Sequence, residues 1–131
     1  MADWSDAEVT TKVSPVSVAD TLTRLTGLLD AKDLKVFAVI DQRAEASRAG
    51  LQLRETVLVL FGNPVAGTPV MAAAPLSALD LPLKILIWDD DGQTSVSYYG
   101  PAALAERYRL SSDLQAKLAA IDPLTETLVG R

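Results

Sequence analysis

The side chains that could transfer protons in this chain are carboxylates and tyrosines, because its 131 residues include no histidine and no cysteine. These absences exclude a Ser–His–Asp arrangement, disulfides and thiolate chemistry. Asp80 is the first acid–base candidate, since it lies among leucines in the segment ALDLPLK. Burial would raise the pKa of its carboxyl group and suit it to general acid or base catalysis. A structural alternative is that Asp80 caps backbone amides before Pro82 or pairs with Lys84.

Asp41 and Glu45 form a second pair of carboxylates, spaced for one face of a short helix. When two carboxylates lie close together, repulsion between their charges raises the pKa of one above that of the other, or the pair can bind a hard cation. The alternative makes Asp41 the N-cap of the helix and leaves Glu45 in solvent. The run Asp89–Asp90–Asp91 suggests a metal site, but consecutive strand residues point to opposite faces and Asp-Gly favours a turn. We therefore predict a hairpin turn there, no metal and no other cofactor. Asp80 and Asp41 stay the catalytic candidates, with Glu45 or a tyrosine as the other possible source of an acid or a base.

The glycine- and proline-rich segment FGNPVAGTPVM, residues 61–71, could bind a ligand or only turn the chain. Thr68-Pro69 is a favourable start for a helix, which would place the backbone amides of Val70 and Met71 at its positive end. Such amides can hold a carboxylate or a phosphate. The alternative is a structural turn from strand to helix, and the segment lacks the GK[ST] signature of a P-loop. Its ligand-binding candidates are Gly62, Asn63, Gly67, Thr68, Val70 and Met71.

Trp88, Tyr98 and Tyr99 fall on neighbouring predicted strands. Their side chains could line a pocket between the sheet and the C-terminal helix, which makes Trp88 and Tyr98 further ligand-binding candidates. They could also complete a dimer surface or simply pack in the core. All three alternatives stay open at the level of sequence.

The composition limits the class of partner. The net charge is −5, and the twelve basic residues are scattered along the chain, which argues against nucleic-acid binding. The N-terminus has no basic region followed by an apolar run, so we expect no secretory signal. The most apolar window, residues 69–88, contains Pro75, Pro82, Asp80 and Lys84, which disfavours a membrane span. We expect a soluble cytoplasmic protein with no membrane partner.

Hydrophobic periodicity and turn residues predict alternating strands and helices. A strand over 8–14 precedes a helix that Ser17 caps, in which Val18, Leu22, Leu25 and Leu29 form the apolar stripe. Gly27 within that helix suggests a close packing contact. Residues 34–41 and 56–61 read as interior strands, separated by a short helix ending at Gly50. The remaining predicted elements are a hairpin of strands 84–89 and 94–99, and helical segments from Pro101 to about Val129, with restarts at Ser112 and Asp122-Pro123.

Three segments, VFAVIDQRAEA, LRETVLVLFGNPVAGTPVM and ALDLPLKILIWDDDGQTSVSY, resemble the family catalogued as domain of unknown function 302. The resemblance runs from about Lys12 to Leu110. It implies an α+β fold of order β-α-β(4)-α, with helices on one face of a mainly antiparallel sheet, like that of the TATA-binding protein. The family usually has histidine after the aspartate of its IDH segment, whereas this chain has Gln42, which cannot titrate.

We therefore expect a single domain over residues 1–131, with a family-like core over 12–110 and a helical segment to 129. The expected function is that of a homodimeric binding or accessory module holding a small anionic or apolar ligand. Two alternatives remain. One is a structural or protein-interaction domain without a small-molecule site, and the other is a carboxylate-dependent enzyme.

Overall fold

The computed structural model describes residues 4–130. Residues 1–3, on which the expectation of no secretory signal partly depends, lie outside that range. The described chain forms five strands and six α-helices, with a short 3₁₀ helix at Pro75–Leu79. In chain order the elements are β1 Val9–Ser14, α1 Val18–Ala31, β2 Lys35–Asp41, α2 Gln42–Arg48, β3 Thr56–Gly62, α3 Pro64–Ala73, β4 Leu83–Asp90, β5 Gln93–Tyr99, α4 Pro101–Tyr108, α5 Ser112–Ala116 and α6 Ile121–Val129.

The strands form one antiparallel sheet in the order β1-β5-β4-β3-β2. Helices α1 and α6 pack on one face of it, which confirms the predicted α+β class. Side chains of alternate strand residues point to that face and form the core with both helices. The fully buried members include Leu25, Leu29, Val59, Ile85, Ile87, Val96, Ile121, Leu124 and Leu128. The likeness to the TATA-binding protein stays a prediction.

Local signals place the first helix and the hairpin where the sequence predicts them. The Ser17 hydroxyl accepts a hydrogen bond from the Asp20 backbone amide at 3.0 Å and so caps α1. Asp91 and Gly92 adopt positive φ angles of 52° and 92° between β4 and β5. The Gly92 amide also donates to the Asp89 carboxylate at 2.9 Å. Asp91 and Gly92 therefore form the predicted hairpin turn, while Asp89 and Asp90 end β4.

The prediction that 34–41 is an interior strand is wrong, because β2 is an edge strand of the sheet. Phe37 and Val39 are each 45% exposed, and a bulge interrupts pairing with β3 between Val36 and Ala38. A continuous apolar run reports that a strand is hydrophobic but not which strands flank it. The companion prediction for β3 is confirmed, since it pairs with both β2 and β4.

The expected close contact at Gly27 is also wrong, because no atom outside the neighbouring backbone of α1 lies within 4 Å of the position where a Cβ would stand. The C-terminal segment forms three abutting helices, one of the predicted arrangements. Ser111 caps α5 by accepting from the Leu114 amide at 3.2 Å. Helix α6 begins at Ile121, just before the predicted restart. No helix within residues 4–130 is long and apolar enough to cross a membrane.

Candidate functional site

An apolar cavity lies at the end of the sheet where β3 ends and β4 begins, between α3 and the segment joining α5 to α6. Its volume is about 420 Å³, within the range of small-molecule sites. Five of the predicted ligand-binding residues line it, namely Gly62, Asn63, Gly67, Thr68 and Met71. The other lining residues are Leu34, Phe37, Phe61, Pro64, Ala66, Leu81, Pro82, Leu83, Lys117, Leu118, Ala120 and Leu124.

Helix α3, which forms one wall, begins earlier than predicted. It starts at Pro64, and the Asn63 side chain caps it by accepting from the Val65 amide at 3.0 Å. The predicted start at Thr68-Pro69 is therefore wrong, and Pro69 lies inside the helix. Asparagine before proline is itself a strong helix start, and it competes with the later Thr-Pro pair.

The expected anion site on the Val70 and Met71 amides is consequently absent from its predicted position, since both residues lie in the interior of α3. Val70 is fully buried and packs with Leu104 and Leu118 in a second apolar cluster. Met71 instead contributes its side chain to the cavity wall. The segment is thus the strand-to-helix turn and also forms one wall of the cavity.

The cavity wall is poor in charged groups. Lys117 is its one ionic side chain, and no aspartate or glutamate is among the lining residues. Sequence reasoning missed Lys117, together with Phe37 and the Leu81–Leu83 segment. Only their position relative to the predicted segment 61–71 could have identified them, and that position depends on the tertiary fold.

Asp80 lies outside the cavity in a network of hydrogen bonds and ion pairs. Its carboxylate accepts from Lys84 at 3.3 Å, from Arg107 at 2.7 Å and from the Tyr108 hydroxyl through a short hydrogen bond. Arg107 also contacts Glu8 at 2.8 Å. The side chain of Asp80 is 11% exposed. Three donors on its own chain therefore engage the carboxylate. The pair with Lys84, one of the two structural alternatives for Asp80, is formed.

The expected rise in the pKa of Asp80 is wrong. Burial is the largest single influence and does raise it, but the hydrogen bonds from Tyr108, Arg107 and Lys84 together outweigh burial. The pKa of Asp80 is therefore held below its usual value of 3.8. A carboxylate that is ionised and fully engaged at neutral pH is poorly suited to general acid or base catalysis.

Asp41 and Glu45 have separate structural roles. The Asp41 carboxylate accepts from the Ala44 amide at 2.9 Å and caps α2. Glu45 pairs with Arg48 at 2.5 Å on the exposed surface. No group of three acidic, histidine or cysteine side chains converges as metal ligands in the part of the chain that the structure covers. Gln42, the first residue of α2, does not line the cavity.

The three aromatic residues do not all line one pocket, since Tyr98 and Tyr99 line a common surface pocket that does not include Trp88. Tyr98 points to the helix-covered face, where its hydroxyl donates to Asp122 at 2.7 Å. The residue is buried, with 4% of its surface exposed. Burial, its largest influence, and the Asp122 carboxylate raise the pKa of Tyr98. Trp88 lies on the opposite face, with its indole donating to Ser97 at 3.0 Å. Tyr99 stacks against the Arg107 guanidinium at 4.8 Å. The predicted pocket of Trp88 and Tyr98 is therefore not formed.

Comparison with known proteins supports the family resemblance. The family described as "Domain of unknown function DUF302" matches residues 9–128, which extends past Leu110 into the C-terminal helices. The crystal structure of an uncharacterised conserved protein of this family from Bacillus stearothermophilus superposes with a TM-score of 0.79. It is 18% identical, and the match covers 95% of this chain and 97% of that one, so the likeness concerns the fold alone.

Among curated proteins, the chain is 38% identical over 120 residues to "Fluoride-specific ion channel FluC 1" of Brucella suis biovar 1 (strain 1330). It has the same identity to the protein of that name from Brucella abortus biovar 1 (strain 9-941). Each match covers 89% of this chain but only 47% and 44% of those proteins. The chain therefore spans less than half the length of the curated relatives it matches.

Proposed function

The chain belongs to the DUF302 family, a domain family of unknown function, and from that premise we propose that it is a single-domain, cytoplasmic, homodimeric module that binds a small apolar ligand. The observation that carries the proposal is the cavity of about 420 Å³ at the end of the sheet. Its wall is mostly aliphatic and aromatic with a few polar groups, the composition typical of small-molecule sites.

The binding proposal does not extend to the activity named for the Brucella relatives. Those names describe ion channels, and this chain covers less than half of each protein. An enzymatic role is the weaker candidate, because the acid–base candidates Asp80 and Asp41 are both engaged in structural contacts. A protein-interaction domain without a ligand remains the alternative that the experiment must distinguish.

The first test is native mass spectrometry of the freshly purified protein, compared with its denatured mass. We expect twice the chain mass plus a reproducible increment from a retained ligand. Titration with the uncharged fluorescent probe N-phenylnaphthylamine tests the cavity directly, whether or not a ligand survives purification. Saturable enhancement is expected for the wild type, and its absence together with a bare native mass would support the interaction-domain alternative.

A cavity-filling variant assigns the probe to this site. Gly67 lines the cavity, and the nearest atom to a Cβ built there is the Met71 methyl at 3.9 Å, so Gly67→Leu has room to extend inward. We expect Gly67→Leu to abolish saturable probe binding while the protein stays folded. Ala72→Leu is the matched control, since Ala72 is exposed on the same helix and does not line the cavity. Equal loss in both variants would contradict the assignment.

The homodimer proposal is supported by the free edge of β2. Antiparallel pairing of β2 with the same strand of a second chain, centred on Ala38, would place Lys35 opposite the second chain's Asp41 at both ends. The exposed Phe37 and Val39 would face each other between those ion pairs. Unpaired strand edges favour such pairing, and a twofold interface must be self-complementary in this way.

Light scattering during size-exclusion chromatography tests this interface. Lys35→Glu would oppose two carboxylates at each end of the shared strand pair, and we expect it to shift the protein to a monomer. Arg24→Glu, the same charge change on exposed α1, is expected to leave the dimer intact. A wild-type monomer, or a Lys35→Glu variant that stays dimeric, would refute the edge-pairing proposal.

A further inference from the structure

The one charged side chain among the residues that line the cavity is a cation. Lys117 is exposed at the rim, and its ammonium group has neither an ion pair nor a hydrogen bond within residues 4–130. No carboxylate lines the cavity to neutralise it. Lys117 would therefore repel an apolar ligand that carries a basic group. It would attract an apolar ligand that carries an acidic group.

Two further lining residues, Asn63 and Thr68, carry hydrogen-bond donors. The Asn63 carbonyl oxygen is occupied by the Val65 amide, which leaves the side-chain NH₂ of Asn63 with no hydrogen bond on its own chain in the described range. The Thr68 hydroxyl also makes no hydrogen bond within residues 4–130. The polar groups of the cavity are thus a cation, an amide donor and a hydroxyl. A carboxylate accepts hydrogen bonds from all three kinds of group.

The volume limits the size of the apolar part. Because one water occupies about 30 Å³ in the liquid, a cavity of about 420 Å³ has room for roughly fourteen waters, or for somewhat more heavy atoms of one organic molecule, since bonded atoms lie closer together than neighbouring waters. A medium-length hydrocarbon chain with a terminal acid falls just below this limit. A two-chain lipid or a nucleotide with its phosphates exceeds it.

We propose that the ligand is a small amphiphile with one carboxylate, its hydrocarbon part in the apolar cavity and its acid group at Lys117. The inference rests on the proposed ligand-binding function and adds the ligand's chemical class. Lys117 acts as the residue that selects for an acidic head group, and Asn63 and Thr68 supply neutral donors elsewhere on the cavity wall. The aliphatic and aromatic wall supplies affinity that does not depend on charge.

Isothermal titration calorimetry with decanoate and decanol at pH 7 tests the assignment, since decanoate is ionised there and decanol is neutral. Each ligand is compared with itself between variants, so the different water solubility of the two does not enter. We expect Lys117→Gln to weaken decanoate binding by about three- to five-fold, the range for a solvent-accessible ion pair. Decanol binding is expected to change by less than about 1.5-fold, within that same scale.

Charge reversal sharpens the test. Lys117→Glu replaces attraction by repulsion, and we expect about tenfold or greater loss for decanoate with little change for decanol. Arg48→Gln removes an exposed positive charge from α2, away from the cavity, and is the matched control. It is expected to leave both affinities unchanged. Added salt should narrow the decanoate difference between wild type and Lys117→Gln, because screening weakens an exposed pair.

The outcomes separate the two proposals. If decanol and N-phenylnaphthylamine bind the wild type but the Lys117 variants affect decanoate and decanol alike, the acid-group inference is overturned and the apolar site stands. If no apolar probe binds the wild type and Gly67→Leu changes nothing, both proposals fall. Selective loss of decanoate in the Lys117 variants, with Arg48→Gln unaffected, supports the inference.

Discussion

Replacing Asp80 with asparagine is expected to lower the free energy of unfolding by about 3 kcal/mol at pH 7. The carboxylate accepts from Lys84, Arg107 and Tyr108, and so links the start of β4 to α4. Loss of one partner from a buried charged network costs about 3–5 kcal/mol. The lower end applies because the side chains of Arg107 and Lys84 are 30% and 29% exposed, and water partly compensates them.

The effect should depend on pH in a defined direction. The pKa of Asp80 is lowered in the folded state. Its stabilising contribution is therefore fully present above the unfolded-state pKa of about 3.9 and is lost as the pH falls through the folded-state pKa. The difference between wild type and Asp80→Asn is expected to stay constant from pH 7 to about pH 5 and then to shrink on acidification.

Urea unfolding followed by circular dichroism measures this difference at each pH at which the wild type is folded. Thermal unfolding gives a second measure. At pH 7 the melting temperature of Asp80→Asn should be roughly 12 °C below that of the wild type, taking about 4 °C per kcal/mol for a domain of this length. Asp30→Asn, at an exposed position on α1, is the control and should change stability by less than about 0.5 kcal/mol. A loss below about 1 kcal/mol at pH 7, or one that persists unchanged in acid, would refute the argument from the ionised carboxylate.

Three further variants test single contacts by urea or thermal unfolding. Gly27→Ala should raise the free energy of unfolding by about 1 kcal/mol, because alanine favours the helix and no atom outside the neighbouring backbone lies within 4 Å of the new methyl group. A lower free energy of unfolding would reveal an unrecognised contact. Asn63→Ala should cost about 1 kcal/mol by removing the cap that accepts from the Val65 amide, and an unchanged midpoint would mean that Pro64 alone starts α3. Tyr98→Phe should cost about 0.5–1.5 kcal/mol through loss of the hydrogen bond to Asp122, whereas no loss would show that solvent substitutes for the hydroxyl.

Several local predictions depended on residues only a few positions apart. The Ser17 cap, the Asp41 cap and the turn at Asp91-Gly92 each join atoms within three residues along the chain, and the structure has all three. The same reasoning misplaced the start of α3, because two adjacent start signals competed. Asn63-Pro64 precedes Thr68-Pro69, and propensity alone does not decide between them.

The sequence by itself determined most of the helices and strands and the absence of histidine and cysteine chemistry, since these follow from composition, periodicity and short-range contacts, whereas the α+β class came from the family resemblance. Only the tertiary structure decided the sign of the pKa shift of Asp80, because Arg107 and Tyr108 lie 27 and 28 residues further along the chain. It also decided that β2 is an edge strand and that Lys117 lies at the cavity of segment 61–71. Burial, electrostatic partners and cavities are set by which distant segments meet, and no local pattern encodes that.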